Sequence, residues 1–104
     1  MPLFSYTAEQ LYHWIATKED IIILDVRNEQ DFERFSVEGP YPVRLINVSY
    51  YSFMEEEDAS IAKIPADSAV RIVCAQEGSA KYVGEILEKH GFTDVGYLEG
   101  GITS

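Results

Sequence analysis

This 104-residue sequence has one cysteine, two histidines and only eight basic residues, and each scarcity removes a class of function. A lone Cys excludes an internal disulfide and any Cys-rich zinc site. His13 and His90 fall in different predicted helices, so neither a metal centre nor a cofactor is expected. Against the eight basic residues stand eighteen acidic ones, a formal net charge of −10. That field repels a phosphate backbone, and no nucleic-acid partner is expected. No apolar run approaches the roughly eighteen residues that a membrane span needs. The first ten residues lack both the basic start and the apolar stretch of a signal peptide. A cytoplasmic protein with no membrane partner is the expectation.

What remains is the composition of an ordinary globular domain, 46% hydrophobic and 25% charged. One Trp, seven Tyr and five Phe supply bulk for a core. The length argues for a single domain over residues 1–104. Its acidic run, Glu55-Glu56-Glu57-Asp58, reads as a solvated helix end or loop.

Strand and helix signals alternate along the chain. Thr7-Ala8-Glu9-Gln10 is a capping box, with Tyr6 and Leu11 placed for a hydrophobic staple. Leu11, Trp14 and Ile15 then follow at helical spacing, which predicts a helix over residues 7–17. Ile21-Ile22-Ile23-Leu24 is a continuous apolar run of the kind found in a strand covered on both faces. Asn28 can cap a short helix through about Phe35, with Phe32 and Phe35 inward. Gly39, Pro40 and Pro42 make residues 36–44 a loop. Leu45-Ile46-Asn47-Val48 is a second strand, and residues 51–57 form a helical turn. A turn at residues 65–68 leads into a third strand, Val70-Arg71-Ile72-Val73. A helix over residues 79–90 places Ala80, Val83, Ile86 and Leu87 inward, and Gly91 stands where a terminating glycine belongs. Val95-Gly96-Tyr97-Leu98 is the last strand. Strands alternating with helices predict an α/β domain whose mainly parallel sheet is flanked by helices.

Cys74 is the candidate reactive atom. It ends the third strand and opens the segment Ala75-Gln76-Glu77-Gly78-Ser79 before a helix. In an open α/β sheet, ligands collect at the carboxyl ends of strands. A helix N-terminus adds unpaired N–H groups and the positive end of the macrodipole, which favour an anion such as a thiolate or persulfide. Gly78 is expected to let the loop curl into a nest of N–H groups, and Ser79 to cap the helix or donate its hydroxyl.

Three segments in this order resemble the signatures of the rhodanese-like sulfurtransferase domain. They are Ile23-Leu24-Asp25-Val26-Arg27, then Val73-Cys74-Ala75-Gln76-Glu77-Gly78-Ser79-Ala80, then Tyr97-Leu98-Glu99-Gly100-Gly101-Ile102. The resemblance implies a rhodanese-like three-layer fold. It also implies a Cys74 that accepts sulfane sulfur, holds it as a persulfide and passes it to a thiol or other thiophilic acceptor. Residues 75–79 would form the substrate loop, with Asp25 and Arg27 supporting the fold and rimming the site. Phe35-Ser36-Val37-Glu38-Gly39, together with the Cys74 loop, is similar to the rhodanese module fused to bacterial metallo-β-lactamase-fold hydrolases. On that resemblance the chain is a module of a longer protein, and the hydrolase domain is an expected partner.

The loop departs from the family in lacking Arg, the residue that suits a dianionic donor. Lys81 is the first basic residue after Cys74 and a candidate for the missing charge. Glu77 and the negative net charge further disfavour thiosulfate, so a low-molecular-weight or protein persulfide is the expected donor. Two rival readings exist. A phosphatase of this architecture would need Arg six residues after its Cys, where this chain has Ala80. The other is a non-catalytic module that docks a partner or senses redox state. Glu99, Gly100 and Gly101 read as a structural turn, and Tyr50, Tyr51 and Phe53 could line a pocket or fill the core, with core the expectation.

Overall fold

The computed structural model describes residues 3–34 and 44–100. Phe35, the Gly39, Pro40 and Pro42 loop, Gly101 and Ile102 lie outside the described residues. The element order is β1 (Phe4–Tyr6), α1 (Ala8–Ala16), β2 (Ile22–Asp25), α2 (Glu29–Arg34), β3 (Arg44–Asn47), α3 (Tyr50–Glu55), α4 (Glu57–Ile61), β4 (Val70–Val73), α5 (Glu77–Lys89) and β5 (Val95–Leu98). The five strands form one sheet in the order β1-β5-β4-β2-β3, and every pairing is parallel. This is the expected α/β architecture.

The covering of both sheet faces follows from the alternation of side chains along each strand. Leu24, Val70 and Ile72 enter one core with Ala80, Val83 and Leu87 of α5 and with Phe53 of α3. Ile23 and Val73 enter the other, with Tyr6, Leu11 and Ile15. Ile22, Ile23 and Leu24 are buried, the property inferred from the apolar run over residues 21–24, and Asp25 is buried with them.

The expected ends of α1 and α5 are both present. Thr7 Oγ1 accepts from Gln10 N–H at 3.1 Å, and Thr7 N–H donates to Gln10 Oε1 at 2.8 Å. Gly91 takes φ +95° just after α5, where a residue with a side chain is strained.

Three features depart from expectation. β1 was not foreseen, because a three-residue strand is too short to show a period. Residues 51–57 are not one helical turn. They are the parts of two helices that meet at Glu56, whose φ −137° and ψ 64° break the run. The acidic run is also not simply solvated. Glu57 Oε2 lies 2.7 Å from His90 Nε2 and 3.0 Å from Lys89 Nζ, so it ties the start of α4 to the end of α5.

That same contact brings together three potential metal-ligand atoms, from Glu57, Asp58 and His90, all within 4.8 Å of one another. The Lys89 ammonium and the His90 ring already hold Glu57, and the arrangement reads as a polar network between α4 and α5. Among the described residues, no helix is long and apolar enough to cross a membrane.

Candidate active site

The carboxyl ends of β2, β3 and β4 meet where the sheet order reverses. From β2 the chain steps outward to β3, and from β4 it steps the other way to β5. A crevice is expected at such a point. A cavity of about 440 Å³ lies there, lined by Val26, Arg27 and Asn28, by Ser49, Tyr50 and Tyr51, and by Cys74, Ala75, Gln76 and Ser79. Cys74 is thus placed at the mouth of a helix, in a pocket of small-molecule size. Only 6% of it is exposed, so a reaction partner must reach it through the cavity.

Backbone hydrogen bonds hold the cavity walls together. Val26 N–H donates to Val73 O at 3.0 Å, Tyr50 N–H to Val26 O at 2.9 Å, and Val48 N–H to Asp25 O at 3.1 Å. Asn47 Nδ2 donates to the carbonyls of Asp25 and Arg27 at 2.9 and 3.0 Å. Asn47 is a positioning residue that sequence reasoning missed. It sits at the end of an ordinary strand pattern, and nothing local marks its reach across to β2.

The loop after Cys74 is shorter than expected. Helix α5 begins at Glu77 with Gln76 as its N-cap, and no side chain caps it. Ser79 therefore lies inside the first turn and faces the cavity, rather than capping the helix. Gly78 is also helical. Positive φ among the described residues belongs to Lys18, Asp67, Gly91 and Gly100, so no glycine-built nest exists at this loop. The unpaired donors come instead from the helix itself: the N–H groups of residues 75–79 have no acceptor among the described residues. Three of those residues line the cavity. Such a cluster stabilises negative charge near Cys74.

The charged candidates divide clearly. Arg27 lines the cavity, but Asp25 engages its guanidinium. Arg27 Nη2 lies 2.7 Å from Asp25 Oδ2, and Arg27 Nε lies 3.0 Å from Asp25 Oδ1. Asp25 itself is fully buried beneath the cavity and does not line it. The half-buried Glu77 turns its carboxylate toward the end of β5, where Oε2 accepts from Gly100 N–H at 3.3 Å. Lys81 is exposed and also lies outside the cavity lining. Phe53 is core as expected, whereas Tyr50 and Tyr51 form part of the cavity wall. Tyr50 does both, since it also packs against the core, whereas core is the wrong expectation for the exposed Tyr51, because Ser49 starts α3 directly at the cavity edge and accepts from Tyr51 N–H at 3.2 Å.

The Rhodanese-like domain profile matches residues 7–104. The chain belongs to the rhodanese-like domain family. It is 28% identical, over 87 residues, to the thiosulfate sulfurtransferase GlpE of Pseudoalteromonas translucida, a match covering 84% of this chain and 74% of that protein. Among solved structures, an NAD-dependent persulfide reductase from A. fulgidus matches with TM-score 0.67 and 28% identity over 95% of this chain. The chain spans only 15% of that reductase's length. The human single-domain sulfurtransferase TSTD1 matches with TM-score 0.71 and 14% identity, covering 94% and 90% of the two chains. At that identity the likeness is one of fold, and it agrees with the rhodanese-like sheet described above.

Proposed function

We propose that this rhodanese-like domain is a sulfurtransferase in which Cys74 carries sulfane sulfur as a persulfide. The observation that carries the reading is the position of Cys74, in a cavity beside five backbone N–H groups at the start of α5 that have no acceptor among the described residues. In the first half-reaction the Cys74 thiolate attacks the outer sulfur of a donor R–S–SH. The donor's S–S bond breaks, R–S⁻ leaves, and Cys74–S–SH forms. An acceptor thiolate then attacks the outer sulfur and Cys74 leaves as thiolate, so no external oxidant or reductant enters. The N–H groups stabilise the anion at each stage. The sulfurtransferase named among its relatives supports this reaction class.

The donor we propose is a persulfide, from a small thiol or from a protein cysteine, with thiosulfate a poor substitute. Arg27 is the cationic residue lining the cavity, and its charge is offset by Asp25 at 2.7 Å. Among the described residues, a dianion would find N–H dipoles there but no cation without a committed carboxylate. The A. fulgidus persulfide reductase relative supports the same donor class. It also illustrates a domain of this kind within a much longer chain, the setting we propose here beside a metallo-β-lactamase-fold hydrolase domain.

Initial rates of sulfur transfer to a thiol acceptor test the proposal. Glutathione persulfide should give a higher kcat/KM than thiosulfate, and Cys74→Ser should abolish both activities. A higher efficiency with thiosulfate would overturn the donor assignment. Undiminished transfer by Cys74→Ser would overturn the carrier.

A further inference from the structure

Four large hydrophobic side chains are exposed among the described residues: Tyr12, Tyr51, Met54 and Tyr82, at 59%, 65%, 53% and 40%. Isolated examples are normal on a protein surface, whereas a contiguous group marks an interaction site. Tyr12 stands apart on α1, and the other three gather beside the Cys74 cavity. Tyr51 and Met54 are three residues apart on α3 and share a face. Tyr50 joins them to α5, with its ring centroid 5.7 Å from that of Tyr51 and 5.4 Å from that of Tyr82. Tyr50 and Tyr51 also line the cavity, so the apolar surface continues out of its mouth.

Acidic residues border this surface. Glu55 and Glu56 follow Met54 directly, are exposed, and have no cationic partner among the described residues. Glu85 lies one turn beyond Tyr82 on the exposed side of α5. The opposing charges nearby are Lys81, turned about 100° around the helix from Tyr82, and Lys89, whose ammonium is paired with Glu57 at 3.0 Å. The whole chain carries −10. Tyrosine faces also attract Lys and Arg heads directly. A small persulfide can be held within the cavity alone and has no use for Met54 or Tyr82, a helical turn away from it.

We propose that the Tyr51–Met54–Tyr82 surface docks a cationic polypeptide segment whose cysteine exchanges sulfur with Cys74. The proposal rests on the carrier reading above and specifies its partner. The surface holds the segment's flanking residues while its Cys–S–SH enters the cavity. Cys74 thiolate takes the outer sulfur and the segment's cysteine leaves as thiolate. The complementary charge raises the encounter rate, an effect that salt weakens.

The test uses two cysteine peptides of equal length, one flanked by lysines and one by glutamates, with glutathione persulfide as the small donor. In persulfide form, the lysine peptide should load Cys74 at least about tenfold faster than the glutamate peptide at low salt, and the gap should close as salt rises. Tyr82→Ser and Met54→Ser, both outside the cavity lining, should slow the lysine peptide about tenfold when combined while leaving glutathione persulfide unchanged. Equal rates for the two peptides, or equal slowing of all three donors, would overturn the proposal. Binding of the thiol-form peptides to Cys74→Ser, read by fluorescence anisotropy, separates this idea from the carrier reading. Salt-sensitive preference for the lysine peptide, weakened by Tyr82→Ser, supports the docking surface even if no sulfur moves. Absence of that preference sinks it even if glutathione persulfide loads Cys74.

Discussion

Asp25 and Arg27, two residues apart at the end of β2, close a buried ion pair beneath the Cys74 cavity. Arg27 Nη2 lies 2.7 Å from Asp25 Oδ2, with side chains 4% and 0% exposed, and the Arg27 backbone N–H also donates to Asp25 Oδ1 at 3.0 Å. A buried pair adds little net stability over an apolar pair, but losing one member strands the other charge. Asp25→Ala should therefore destabilise the domain by about 3–5 kcal/mol, read as a drop in the urea midpoint. Replacing both, with Asp25→Leu and Arg27→Met, should cost less than the single change. A loss near zero for Asp25→Ala would mean that the pair does not hold this corner.

The same pairing sets the electrostatics of the site, and a new cation should alter them. Gln76 lines the cavity at the mouth of α5. Gln76→Arg supplies a guanidinium with no carboxylate committed to it. The kcat/KM for thiosulfate should rise about tenfold, equivalent to ~1.4 kcal/mol of added transition-state binding. An unchanged or lower thiosulfate efficiency, with glutathione persulfide activity intact, would show that missing charge is not what limits this donor.

The central strands, α1 and α5 were legible because each announces itself locally. Ile21-Ile22-Ile23-Leu24 is too apolar for an exposed strand, and Thr7 with Gln10 forms the capping box that its spacing implies. Cys74 was legible for the same reason, since strand end and helix start adjoin it in sequence. The cavity's other walls were not. Ser49, Tyr50 and Asn47 reach the site by tertiary placement, and an aromatic pair reads the same whether it faces a core or a pocket. Glu77 was placed at the site on proximity in sequence alone, whereas its carboxylate accepts from Gly100 N–H and it does not line the cavity. Of the two roles expected of Ser79, only the capping one fails, because α5 starts at Glu77, two residues earlier than its periodicity suggested, while Ser79 does line the cavity.

Gly96 makes β1 possible. A Cβ there would lie 2.7 and 2.8 Å from Phe4 Cε2 and Cζ, and 3.1 Å from Tyr6 Cδ2. Neither ring is free to retreat. Tyr6 packs edge-on to Trp14 at 5.3 Å, and the Arg71 guanidinium lies 4.9 Å from the Phe4 ring centre. Gly96→Ala should cost about 1–3 kcal/mol by overpacking and should shift the emission of Trp14, the sole tryptophan. Unaltered stability and emission would mean that β1 adapts at no cost.

Hydrogen bonding to His90, and next to Lys89, holds the Glu57 carboxyl below its ordinary value of 4.5. A carboxyl depressed in the folded state binds fewer protons there than in the unfolded chain. Its contribution is therefore complete above the ordinary value and lost as pH falls through the folded one. Wild type should melt above Glu57→Gln at neutral pH, and the two should converge in acid. A gap that widens on acidification would contradict the arrangement.

The central claim is that Cys74 carries sulfur. Intact-mass measurement after brief exposure to glutathione persulfide and removal of excess donor tests it most directly. Wild type should gain one sulfur atom that a thiol acceptor removes, and Cys74→Ser should gain none. An unchanged wild-type mass, or the same gain in Cys74→Ser, would contradict it.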